Sequence, residues 1–427
     1  MNRSRALSFA LLLGVLFVPA EAHGQQKPKD DKYTKEASKQ LGIAMLRQED
    51  AERGQAYQQA LTALQEGMTK EADNPKIWFL AGQAYAGVLD FAGADSCFEK
   101  AEALYPEYAA EVEAEREVGW MNGFNAAVAL MDEQKYPEAL ALFEGSHELY
   151  PKRPEGLLNM GSIYANQGNT DRAVWAFEEA VKAVNSERFA ELEPEAQAQW
   201  KGFEDMAKLN ISQMLGQQGV EAFQAEDYDK AADLFTRAAQ SNPQSRDFLF
   251  NVVQAHFAQA QALEEKRDST AEDGKAPEDA DLVKIYQQMQ PDIAKVQEFD
   301  PNNENLMLIL ARSKRRAGEL SGNGPQGQRE ALAALEQLQS MTLTVSELMV
   351  EPGEGTARVS GTVKNNGTDA GAQVKLEVTL LASDGTVIGT QEAAVTAPEK
   401  DATTTFELTV ADVQKQVAGW KYKVVSS

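Results

Sequence analysis

Hydrophobic residues recur every three to four positions over most of the chain, a pattern that predicts amphipathic helices. The clearest example lies between residues 75 and 106, where two apolar runs at helical spacing flank a Gly-containing turn. This arrangement predicts a helical hairpin. Asn74 can cap the first helix, and Pro75 suits its first position, where the absent N–H has no intrahelical partner anyway. The small residues Gly82 and Ala101 would let the two helices approach closely.

This hairpin resembles a tetratricopeptide repeat, whose pattern of about 34 residues it follows closely. The matching positions are Trp78, Gly82, Tyr85, Ala94, Phe98, Ala101 and Pro106. A single hairpin of this family cannot bury its own apolar face, so the resemblance implies stacked neighbours. Similar patterns predict an α-solenoid of about seven hairpins over residues 33–340. Helical inserts at 107–118 and about 188–210 would lengthen two of them, and 267–278 reads as an exposed loop.

The apolar period changes at about Met341, from about 3.6 residues to about 2, which predicts β-strands. The expected strands are residues 343–350, 357–364, 373–382, 387–395, 403–410 and 419–425. Turn signals such as Asp384-Gly385 separate them. Short alternating strands at this spacing predict a small all-β sandwich over residues 341–427.

The sandwich resembles the FxLYD family of Ig-like modules of the bacterial envelope. The resemblance rests on the segment 359–366, the segment 374–381 with Asp384-Gly385, and a strand that contains Phe406. The aromatic residue and the Tyr that name the family are absent. The positions before Asp384 hold Leu-Leu-Ala-Ser, residues 380–383.

The N-terminal segment, residues 1–22, resembles a secretory signal peptide. Two Arg residues precede an apolar run over 6–18, and an A-x-A cleavage site stands at 20–22. The mature chain is therefore expected to begin at His23, in the periplasm or outside the cell. Residues 23–32 are polar and are expected to form a flexible leader.

Charge and composition narrow the possible functions. The 427 residues carry a net charge of -25, which argues against nucleic acid or an anionic membrane as the main partner. Cys97 is the only cysteine, and a buried, inert thiol is expected there. The three histidines, His23, His147 and His256, have no metal-ligand spacing, and no cofactor motif is present. We therefore expect no metal site, no cofactor and no enzyme, with a carboxylate-pair hydrolase as the last alternative.

The resemblance to tetratricopeptide repeats implies a groove lined by the first helix of each hairpin. The side chains it places there are Phe79, Gln83, Phe124, Val128, Met131, Leu158, Ser162, Phe223, Phe250, Gln254 and Phe257. Such a surface is apolar, with a few amides, and suits an extended or helical peptide with apolar anchors. The predicted function is an exported protein-interaction scaffold of the bacterial envelope. The alternative is that these aromatic residues belong to the helical core.

A second hypothesis assigns binding to the sandwich and a spacer role to the solenoid. Trp420 and Tyr422 alternate along the last predicted strand, so both could face one side of it. There they could stack on an envelope glycan or another surface polymer, or simply pack the core.

Overall fold

The computed structural model describes residues 27–270 and 279–425. The predicted signal peptide and the start of the predicted leader, residues 1–26, lie outside the described residues. Most of the predicted loop, residues 271–278, also lies outside them. Among the described residues, every helix is too short or too polar to span a lipid bilayer.

Helices precede strands along the chain, as the change of period predicts. The fourteen α-helices within the described ranges are α1 Lys32–Leu46, α2 Asp50–Lys70, α3 Pro75–Gly87, α4 Phe91–Leu104, α5 Ala109–Asp132, α6 Tyr136–Leu149, α7 Glu155–Asn166, α8 Thr170–Val184, α9 Pro194–Gln224, α10 Tyr228–Ser241, α11 Arg246–Thr270, α12 Asp279–Phe299, α13 Glu304–Leu320 and α14 Gly324–Ser340. The strands are β1 Leu343–Gly353, β2 Thr356–Asn365, β3 Gln373–Leu381, β4 Val387–Thr396, β5 Thr403–Ala411 and β6 Gly419–Val425. The predicted class, a helical solenoid of hairpins followed by a small β region, is confirmed.

The chain divides into two compact units. The first ends at Pro151 and contains α1 to α6, and the second begins at Lys152 and contains α7 to α14 and all six strands. Consecutive helices pair in both units, with α3 against α4 in the first and α13 against α14 in the second. Each pair is one hairpin of the predicted solenoid.

Three hairpins are held by the same contact, in which a glycine of the first helix faces a phenylalanine ring of the second. The pairs are Gly82 with Phe98, Gly161 with Phe177, and Gly219 with Phe235. A Cβ atom on Gly161 or Gly219 would lie 2.7 Å from the ring, and one on Gly82 would overlap Phe98. Only glycine permits this separation, so the close approach predicted from Gly82 is confirmed.

The start of α3 anchors the segment that precedes α1. Asn74 caps α3 by accepting a hydrogen bond from the Lys76 N–H at 3.2 Å, as predicted. Its amide also donates to the Lys29 carbonyl at 2.9 Å and accepts from the Lys29 N–H at 3.1 Å. Residues 29–31, predicted as flexible leader, are therefore tied to α3. Local sequence patterns do not reveal this interaction, because Lys29 and Asn74 are 45 residues apart.

Both predicted inserts are helical. The first forms a 3-10 turn, Pro106–Tyr108, and the beginning of α5, and the second forms the 3-10 segment Glu187–Glu191 and the beginning of the 31-residue α9. α11 also runs further than expected, so the prediction of a loop was wrong for residues 267–270. The Arg267 guanidinium lies 3.0 Å from the Asp279 carboxylate of α12, an ion pair that ties this last turn to the next helix.

The strands form two three-stranded antiparallel sheets. Their orders are β1-β2-β5 and β4-β3-β6. Alternate residues of both sheets meet in one core, which includes Val359, Val378 and Phe406. β1 contains a bulge between Ser346 and Met349. The expected sandwich is present, and β4 and β5 close one of its sides by direct contact.

Candidate functional site

In the first unit, the predicted groove residues are largely covered by other aromatic side chains. Phe79 is half-buried and stacks on Tyr108, with ring centroids 4.7 Å apart. Phe124 is half-buried and stacks on Trp120 at 5.0 Å. Gln83 and Val128 are also half-buried. Much of the surface of the Phe79 and Phe124 rings is covered by packing inside the unit. This favours the alternative that both rings belong to the helical core.

Gln83 has a polar neighbour on the next first helix. Glu115 of α5 lies near its side chain. Burial raises the pKa of Glu115, and the Gln83 amide opposes that rise in part. The predicted amide therefore lies beside a half-buried carboxyl group of the same unit.

In the second unit, the predicted residues fall into two groups. Leu158 is 7% exposed and Phe250 is 8% exposed, so both belong to the core and the prediction that they line a groove needs correction. Ser162 is exposed, but its hydroxyl donates to the Leu158 carbonyl at 3.0 Å. The Arg312 guanidinium lies over the ring of the half-buried Phe257, 5.2 Å from its centroid.

Gln254 lines an accessible cleft between α9 and α11. The cleft has a volume of about 160 Å³. It is lined by Val220, Phe223 and Gln224 of α9, Phe235 of α10, and Asn251 and Gln254 of α11. Phe235 is buried beneath Gly219 and forms the floor, and Val220 at the rim is 37% exposed. Two predicted residues, Phe223 and Gln254, thus meet in one site.

The cleft has the size and polarity for one apolar side chain of an extended peptide. A cavity of about 150 Å³ is large enough to hold a benzene molecule. The three amides at the rim, Gln224, Asn251 and Gln254, each offer a donor and an acceptor, as a peptide main chain does. All six lining residues are uncharged, so an apolar group can enter without desolvating an ion.

Sequence reasoning missed Val220, Gln224 and Asn251. The register of the repeat pattern marked only some positions on each helix. Val220 lies three residues before the marked Phe223, Asn251 lies three residues before the marked Gln254, and Gln224 lies four residues after Val220. Neighbours at this spacing share a helix face, and this signal could have found them.

The aromatic pair of the sandwich is not available to a ligand. Trp420 is 6% exposed and Tyr422 is 4% exposed, and both lie in the core between the sheets. Of the two outcomes predicted for these rings, the packing role is confirmed. The glycan-stacking hypothesis loses the residues on which it depended.

The described residues were also compared with what a metal site or a reactive thiol would require. Within residues 27–270 and 279–425, no group of three or more His, Cys, Asp or Glu side chains could hold a metal ion. Cys97 is buried, and burial raises the pKa of its thiol to about 11, which keeps it protonated.

Comparison with known proteins supports the repeat assignment. A family model of the tetratricopeptide repeat matches residues 124–188 and 217–280. These two segments are therefore similar to tetratricopeptide repeats, as the hairpin pattern predicts. No curated protein matches the chain.

Several solved structures are similar at low identity. The C-terminal part of a TPR repeat-containing protein from Cytophaga hutchinsonii is 13% identical, with 72% of this chain and 95% of that chain covered and a TM-score of 0.21. YrrB, described as a TPR protein with an unusual peptide-binding site, is 15% identical, with 56% and 97% covered and a TM-score of 0.20. MamA from Desulfovibrio magneticus RS-1 is 17% identical, with 49% and 96% covered and a TM-score of 0.19.

Proposed function

We propose that this protein is an exported, non-enzymatic scaffold of the bacterial envelope that binds extended segments of partner proteins. The α9/α11 cleft carries the proposal. It combines an apolar floor, Phe235, with amides on two successive first helices, of which Gln224 is exposed and Asn251 and Gln254 are half-buried. A segment lying across both helices would insert one aliphatic side chain and present its main chain to the amides.

The affinity of one such site is expected to be modest. Burying a single Leu side chain contributes about 1.5–3 kcal/mol, which corresponds to roughly ten-fold to a hundred-fold in binding. Tight binding would therefore need further contacts along the repeats. The Gly219–Phe235 contact fixes α9 against α10, whose Phe235 forms the floor of the cleft, and this preorganisation lowers the cost of ordering on binding.

Export is proposed from residues 1–22, whose charge, apolar run and cleavage site match a signal peptide. N-terminal sequencing of the protein from fractionated bacterial cells tests this. A chain that begins at His23 and lies outside the cytoplasm is expected. A cytoplasmic chain that retains Met1 would contradict export.

The binding proposal is tested with an array of Ser/Ala decapeptides that differ only in a central Leu or Gly. We expect the full chain to be retained at least about ten-fold better by the Leu peptides, because only Leu fills the cleft. Val220→Asp places a charge at the rim and should abolish that preference.

The matched control is Leu332→Asp. Leu332 is 54% exposed on α14 and does not line the cleft, so its replacement should leave the preference intact. Equal retention of Leu and Gly peptides, or an unchanged preference in Val220→Asp, would refute binding at this cleft.

A further inference from the structure

The sandwich has an open side between β1 and β6. Each is an edge strand of its own sheet, and among residues 343–425 no strand pairs with the outer edge of either. Edge strands present unpaired N–H and C=O groups, and sandwiches of the immunoglobulin constant type carry a seventh strand beside the equivalent of β6. A helix or loop can cover such an edge in place of a strand.

The loop between α12 and α13, residues 300–303, lies on the open side. The Val345 N–H of β1 donates to the Asn302 carbonyl at 3.1 Å, and the Asn302 side chain donates to the Leu343 carbonyl at 3.0 Å. The Asn302 N–H donates to the Tyr422 hydroxyl of β6 at 3.2 Å. One residue of the helical region thus contacts both edge strands through its main chain.

The buried carboxylate of Asp300 stabilises this loop. It is 3% exposed and accepts hydrogen bonds from the Tyr422 hydroxyl at 2.7 Å and the Asn303 amide at 2.7 Å. The Arg246 Nε donates to it at 2.8 Å, and a second guanidinium nitrogen forms the ion pair. Both carboxylate oxygens are satisfied, as a buried charge requires.

The loop between α10 and α11, residues 242–245, covers the beginning of β6. The Asn242 side chain donates to the Ala418 carbonyl at 2.8 Å. A Cβ atom on Gly419 would overlap the Gln244 carbonyl, so the two backbones touch. The Arg246 guanidinium lies between the Trp420 ring, at 5.7 Å, and the Phe250 ring, at 4.4 Å.

We propose that residues 242–245 and 300–303 of the helical region take the place of a seventh strand, with Arg246, Asp300 and Tyr422 as positioning residues that join α11 to β6. The sandwich and α11 then open and close as one cooperative unit. This role does not depend on the proposed peptide binding.

The test is hydrogen exchange of the full chain, wild type against Tyr422→Phe, which removes only the hydroxyl. Loss of the bonds to Asp300 and Asn302 should raise amide exchange at least about ten-fold in both β6 and α11. The matched control is Tyr105→Phe in the first unit, whose hydroxyl bonds only to a nearby glutamate side chain, Glu107. It should leave exchange in α11 and β6 unchanged.

A second measurement needs no variant. We expect native-state hydrogen exchange of the wild-type chain at increasing urea concentrations to give one common opening free energy for the slowest amides of α11 and β6. Two separate transitions, or faster exchange confined to β6 in Tyr422→Phe, would overturn the proposal.

Discussion

At the scale of single residues, the second insert is held by one buried carboxylate. Glu204 of α9 is 3% exposed and accepts hydrogen bonds from Lys201 at 2.5 Å and from Asn185 at 3.1 Å, and Lys208 lies 2.6 Å away. Burial alone would raise the pKa of Glu204, but these three donors together lower it to about 2. The beginning of α9 is thereby fixed to the end of α8.

The lowered pKa predicts a pH dependence of stability. The folded pKa lies below the unfolded value of 4.5, so the contribution is complete above about pH 4.5 and is lost as the pH falls toward 2. We expect Glu204→Gln to cost about 2 kcal/mol at pH 7, because the half-exposed lysines are partly screened, and much less at pH 2.5.

Urea unfolding of both chains at several pH values measures this difference. Glu195→Gln is a suitable control, since Glu195 lies on the first turn of the same helix and is exposed. A Glu204→Gln penalty that stays constant from pH 7 to pH 2.5 would contradict the role assigned to its charge.

At the scale of the elements, the hairpins depend on the contact between a glycine and a ring. Gly82→Ala would force a methyl group into the Phe98 ring, which is itself fully buried. Alanine is the better helix former by about 1 kcal/mol, but overpacking costs typically 1–3 kcal/mol. We therefore expect Gly82→Ala to destabilise the first unit by up to about 2 kcal/mol, measured by thermal or urea unfolding.

A glycine without such a contact provides the opposite case. Gly42 lies inside α1, and a Cβ atom there would meet nothing within 4 Å. Gly42→Ala should stabilise the same unit by about 0.5–1 kcal/mol, because only helix propensity acts. Equal effects of the two replacements would mean that the ring contact contributes little.

Element boundaries show where sequence reasoning succeeds and where it does not. The Gly and Phe positions of the hairpins were predictable because a short-range contact dictates both residue types. The end of α11 was not, because the polar residues 267–270 have weak intrinsic preferences and an ion pair to Asp279 supports their last turn. The anchored segment at residues 29–31 depends in the same way on the distant Asn74.

At the scale of the whole molecule, the second unit joins repeats and strands through residues that sequence patterns assign to other roles. The segment 300–303 connects two helices of the solenoid, and Tyr422 was expected either to stack on a glycan or to pack the core. Their hydrogen bond at 2.7 Å links positions 122 residues apart. The predicted cooperative opening of α11 and β6 belongs to this scale, because neither element contains the interaction alone.

The sequence by itself determined the helical repeats, their approximate number, the change to strands near residue 341 and the packing roles of small and aromatic residues. These follow from periodicity and local contacts, which act over a few residues or within one hairpin. Only the tertiary structure decided which side chains are accessible. It buried Leu158, Phe250, Trp420 and Tyr422, and it brought Val220, Asn251 and Gln254 together at one cleft. The reason is physical: exposure depends on every element packed around a side chain, and that information is distributed over the whole fold.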